Sequence, residues 1–146
     1  MTIREEMREF PTEVVWHPPN EGIFKINTNA AFNASSAVAK IRVICRDSSG
    51  TVCFCASARK KDVKSPLQAE LLSILFGLEI TIDEGFKCIQ METDSLIAVQ
   101  KIKKGPLSTC EWESIVSDIC SCKHVFVRVE TVLTLDGVAT NQVVEV

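Results

Sequence analysis

Asp94 closes the run "KCIQMET" and opens "SLIAVQKIKK", while Glu70 sits near the start of "SPLQAELLSILFGLEI". Carboxylates so placed can hold a charge where chemistry needs one. The turns that follow sheet strands are also where α/β proteins bind ligands. Each residue has an ordinary reading as well. Asp94 is a good N-cap for the segment after it. Glu70 reads as a first-turn acid favoured by the helix dipole. A 100°-per-residue wheel puts Glu70 about 85° from the centre of its helix's apolar stripe, at the border of the buried face.

The elements that must position these acids follow from periodicity. "GIFKINTNAAF" sets Ile23, Lys25, Asn27 and Asn29 against Phe24, Ile26, Thr28 and Ala30. "AVAKIRVICRD" and "TVCFCASA" are two further strands, joined by the turn cluster "RDSSGT". Period-two alternation of this kind gives an antiparallel meander with one face on a core. A helix follows, with Ser65 as N-cap, Pro66 at its first position and Gln68 completing a capping box. Leu67, Leu71, Ile74, Leu78 and Ile82 form its apolar stripe, and Gly85 is its stop. "KCIQMET" is then a fourth strand and "DSLIAVQKIKK" a short helix. Trp112, Ile115, Val116 and Ile119 mark a third helix, and His124 opens a fifth strand. "DGVATNQVVEV" is ambiguous: its β-branched residues lower helix propensity, but its position suggests a short terminal helix. This order predicts an α/β fold with a five-stranded mixed sheet, an antiparallel meander followed by parallel strands, flanked by helices.

Composition narrows the function. The 146 residues, 46% hydrophobic and 24% charged, suit one domain. Residues 1–20 read as a tail or linker ended by "HPPN", and residues 21–146 as the domain. No apolar run reaches the length of a membrane span. The charged start lacks a signal-peptide core, which predicts an intracellular protein, cytoplasmic or nuclear. Seven cysteines at irregular spacings are read as free thiols, with Cys53 and Cys55 as small buried hydrophobes. A net charge of −3 argues against a charge-driven polyanion binder and leaves room for local patches at "ARKKDVK" and "KIKKG".

The stretches "WHPPNEGIFKINTNAAF", "RDSSGTV", "SPLQAELLSILFGLEI", "GFKCIQMETDSLIAVQ" and "WESIVSDI" together resemble the ribonuclease H-like domain found in many plant proteins, often described as reverse-transcriptase-like. The resemblance implies a ribonuclease H-like fold. It also implies hydrolysis of RNA in RNA–DNA hybrids by acids that hold two Mg²⁺ ions, with Mn²⁺ as a substitute. Carried over by position, the helix acid falls on Glu70 and the strand-four acid on Asp94, the two metal ligands. The strand-one acid falls on Asn29 and the terminal-helix acid near Thr140, so two of four carboxylates are missing. Asp136 replaces the last one only if that helix is shifted by four residues. The expectation is a nucleic-acid-binding domain with a degenerate two-metal site at Asn29, Glu70 and Asp94, weak or inactive. The alternative is an active Mg²⁺-dependent endonuclease. Asn27, Thr28, Lys101, Lys103 and Lys104 are the expected contacts to an RNA–DNA hybrid or RNA.

Overall fold

A computed structural model describes residues 16–107 and 112–126, and the backbone of the strands at 128–135 and 138–145. The charged segment 1–15, Cys110 and Asp136 lie outside the described residues. The chain forms β1 (Phe24–Asn33), β2 (Val38–Arg46), β3 (Val52–Lys60), α1 (Pro66–Asp83), β4 (Cys88–Thr93), α2 (Leu96–Lys104), α3 (Glu113–Lys123), β5 (Arg128–Leu135) and β6 (Val138–Glu145).

The sheet runs β3-β2-β1-β4-β5-β6. β1, β2 and β3 are an antiparallel meander, β4 is parallel to both β1 and β5, and β6 returns antiparallel. Both crossovers, β3 to β4 and β4 to β5, travel in the same direction across the sheet. Right-handed connection therefore puts α1, α2 and α3 on one face. Ile26, Ile41, Val43, Ile89 and Met91 from the sheet meet Leu71, Ile74, Leu78, Ile102, Val116 and Ile119 from the helices in one core. Among the described residues no helix covers the opposite face of β1–β3.

Local chemistry explains the boundaries. Ser65 Oγ accepts from the Gln68 amide, and Gln68 Oε1 accepts from the Lys64 amide at 2.7 Å, one residue before the N-cap. At the far end of α1, the Phe86 amide donates to Thr81 and the Gly85 amide to Ile82, with Gly85 at φ +82°. That is a Schellman stop. It delivers Phe86 onto Phe24, ring centroids 3.9 Å apart. At Gly77 α1 packs tightly on β1 and β4: a Cβ there would lie 3.0 Å from Thr28 Cγ2 and 3.1 Å from Met91 Cε.

Four expectations are corrected. The terminal segment, including Thr140, is strand β6, which adds a sixth strand at the sheet edge in place of a helix. Its β-branched residues prevail over position. His124 is the C-cap of α3, and β5 begins only at Arg128. Cys53 and Cys55 are exposed, because β3 is an edge strand with no layer over its outer face. Glu70 lies beyond the first turn of α1, which holds no acid.

Candidate functional site

β1 pairs with β4 only from Phe24 to Asn27. β4 then ends at Thr93, whereas β1 continues to Asn33 alongside β2. This leaves a notch at the carboxyl ends of two parallel strands. It is also where the strand order reverses, since the chain runs outward from β1 through β2 and from β4 through β5 in opposite directions. Such a switch point is the usual ligand crevice of an α/β sheet. Asn27 is level with Glu92, the last pair of that ladder; beyond it Asn29 pairs with Arg42 of β2.

The ordinary explanations for both acids fall away here. The N-cap of α2 is Ser95, whose side chain accepts from the Ala98 amide at 3.2 Å. The Ser95 amide in turn donates to Thr93 Oγ1. Asp94 is thus exposed and released from capping. Glu70 is past the reach of the helix dipole, which fades within the first turn. Its Oε2 is buried with no hydrogen-bond partner. Burial, and then the negative charge of Asp94, push the Glu70 carboxyl up from 4.5 to about 7. Two acids drawn together, one with a bare oxygen, are a donor set for a hard cation. No group of three or more His, Cys, Asp or Glu side chains assembles among the described residues.

The neighbouring sheet face carries a feature that sequence reasoning missed. Lys25 and Glu92 form an ion pair at 2.6 Å, with side chains 5% and 9% exposed. Lys25 Nζ also donates to the His17 carbonyl at 2.7 Å. Trp16 roofs the pair: its ring lies over Lys25 and Arg46, and its Nε1 donates to Asn27 Oδ1. Alternation alone had made Lys25 an outward position. The signal was the "WHPP" segment itself, an aromatic followed by a prolyl breaker, which can fold back onto a strand.

The expected nucleic-acid contacts separate. Thr28 is 6% exposed and packs against Gly77 on the helix face. Asn27 is half-buried under Trp16 and already accepts a hydrogen bond from it. Lys101 is half-buried, while Lys103 and Lys104 are exposed at the C-terminal end of α2. The rise of a helix places them roughly 13–15 Å along α2 from Asp94. Asn29 is exposed on the open sheet face.

Residues 27–142 match the model of the family described as reverse transcriptase-like. Curated protein sequences gave no match. Among solved structures, RNase H1 from the archaeon Halobacterium salinarum NRC-1 aligns with a TM-score of 0.68 at 16% identity, covering 78% of this chain and 86% of that one. LC11-RNase H1, known also in complex with an RNA/DNA hybrid, aligns with a TM-score of 0.66 at 17% identity over 77% and 86%. The N-terminal RNase H domain of a Mycobacterium tuberculosis protein gives 0.65 at 13% identity over 75% and 84%. At these identities the likeness establishes the fold, which is ribonuclease H-like.

Proposed function

Because the chain belongs to the reverse transcriptase-like family, we propose that it is a nucleic-acid-binding domain that takes RNA–DNA hybrids or RNA and hydrolyses them weakly or not at all. The observation that carries this reading is the content of the notch. Glu70 and Asp94 are its carboxylates, and the strand-one position that the family resemblance makes acidic is a neutral Asn29. A solved relative has been captured on an RNA/DNA hybrid, which supports the substrate class.

Glu70 and Asp94 are the residues that would hold a divalent cation, magnesium or manganese. A pair of such ions in a phosphodiester site activates water and stabilises the leaving oxygen. Asn29 offers an amide oxygen without charge, so the protein supplies about −2 where two dications require more. Glu70 adds a second handicap. With its carboxyl raised to about 7, it is partly protonated at neutral pH, and a proton competes with a cation for the same oxygens. Terminal strand β6 replaces the helix from which a fourth acid was expected.

The test is cleavage of a uniformly labelled RNA–DNA hybrid in Mg²⁺ and in Mn²⁺. Slow or absent turnover that rises in Asn29→Asp is the expected result. Robust turnover by the unaltered chain, lost in Glu70→Ala or Asp94→Ala, would instead establish a working nuclease. The unsatisfied oxygen of Glu70 is the one observation that favours that second reading.

A further inference from the structure

The open face of β1–β3 carries an ordered set of cations that the notch does not use. Cross-strand register aligns Asn29 with Arg42 and Arg42 with Ser57 in one row. The next row aligns Ala31 with Lys40 and Lys40 with Arg59. Lys40, Arg42 and Arg59 are all exposed. They line a shallow open depression of about 540 Å³ together with Asn29, Ala31 and Ser57. Lys40 and Arg42 are two residues apart on β2, about 6.7 Å along the strand. Lys40 and Arg59 stand directly opposite each other, about 5 Å apart at Cβ.

This arrangement costs stability, and no ion pair among the described residues offsets it. Like charges directly opposite on a sheet repel. Among the described residues the ion pair is Lys25–Glu92, and none of the three surface cations takes part in it. Among the described residues the same sheet thus pairs one cation and leaves these three without an ion pair. In a chain of net charge −3, such concentration on one face calls for an anionic occupant.

We infer that the Lys40–Arg42–Arg59 face of β1–β3 binds the phosphodiester backbone of a nucleic-acid strand, as a track that passes Asn29. Three observations favour nucleic acid over a lipid surface. The cations alternate with Asn29 and Ser57, whose polar groups suit sugar hydroxyls and phosphate oxygens. The large exposed apolar residues are Val52, Leu96, Ile97, Leu107 and Val125, and none of them lines the depression. The Arg42 row is continuous with Asn29, one strand spacing of about 4.8 Å away. The inference rests on the domain being a nucleic-acid binder but does not require that it cleave.

The experiment is hybrid binding by fluorescence anisotropy across a salt series. It compares the full chain with Lys40→Gln/Arg42→Gln/Arg59→Gln and with Lys87→Gln. Lys87 precedes β4 at the opposite end of the sheet from the notch and controls for net charge. Each lost phosphate contact lowers the slope of log affinity against log salt by about 0.7–0.9, so the triple variant should lose about 2–3 in slope and about tenfold or more in affinity. Lys87→Gln should change neither. Cys55, exposed and one row from Arg42 on the same face, should be alkylated more slowly by N-ethylmaleimide in the complex. Binding by the full chain with the same slope in the triple variant, or unchanged alkylation of Cys55, overturns this face as the track and leaves the proposed function standing. No salt-dependent binding by the full chain overturns both. If the triple variant loses affinity for phosphatidylserine vesicles and not for the hybrid, the face is a membrane contact and the inference fails.

Discussion

Glu70→Gln should make the protein more stable at alkaline pH and leave it unchanged in acid. In the folded state the carboxyl is raised from 4.5 to about 7, first by burial and then by Asp94. Between those values the native state holds a proton that the unfolded chain releases, so stability falls as pH rises through that window. Below it both states are protonated; above it the whole penalty is present. Such a displacement corresponds to about 3 kcal/mol at complete burial. Glu70 is only partly buried and water screens it, so roughly 1–2 kcal/mol is expected. Glutamine keeps the shape and removes the charge. Urea unfolding in EDTA, run on both proteins at pH 4 and pH 8, reads the effect directly. The variant should gain roughly 1–2 kcal/mol at pH 8 and nothing at pH 4. Contributions from carboxylates remote from Glu70 cancel in the difference between the two proteins. Equal stabilities at pH 8, or the same gain at both pH values, would refute the idea that a costly charge is held at the notch.

Three further outcomes follow from the geometry. Lys25→Met strands Glu92 in a buried setting and should cost about 3–5 kcal/mol in chemical denaturation, with Lys25→Met/Glu92→Leu recovering most of it. Gly77→Ala drives a methyl to 3.0 Å from Thr28 and 3.1 Å from Met91; thermal unfolding should show a net loss of about 1–3 kcal/mol despite the better helix propensity of alanine. Ser95→Ala should cost about 1 kcal/mol through loss of the α2 cap, whereas Asp94→Ala should cost far less, because Asp94 caps nothing.

The meander, the first helix and the β4-α2 joint were legible because each carries a local signal. Ser65-Pro66 and Gly85 bracket α1, and Ile26, Ile41 and Val43 alternate along their strands. Glu70 and Asp94 were legible as acids near strand and helix ends. Which residue caps α2 was not, because Asp94 and Ser95 are adjacent and both are good caps; only the backbone shows that Ser95 takes the bond. The terminal segment pitted β-branched composition against an expected position, and composition prevailed. Lys40 and Arg42 were visible as one face of β2, but their alignment with Arg59 depends on a hairpin register that spacing alone does not specify. The Lys25–Glu92 pair unites residues far apart in the chain through parallel pairing, and no local pattern announces it.

Trp16 also fixes where this domain can be trimmed. A recombinant fragment beginning at Gly22 would lack both the indole lid and the carbonyl of His17 that receives Lys25. Water would then reach the ion pair, turning a dry contact into a wet one that added electrolyte weakens. The shortened fragment would keep its fold while its melting point drifted with ionic strength, so the apparent leader up to Asn20 includes a working part of the sheet's outer wall.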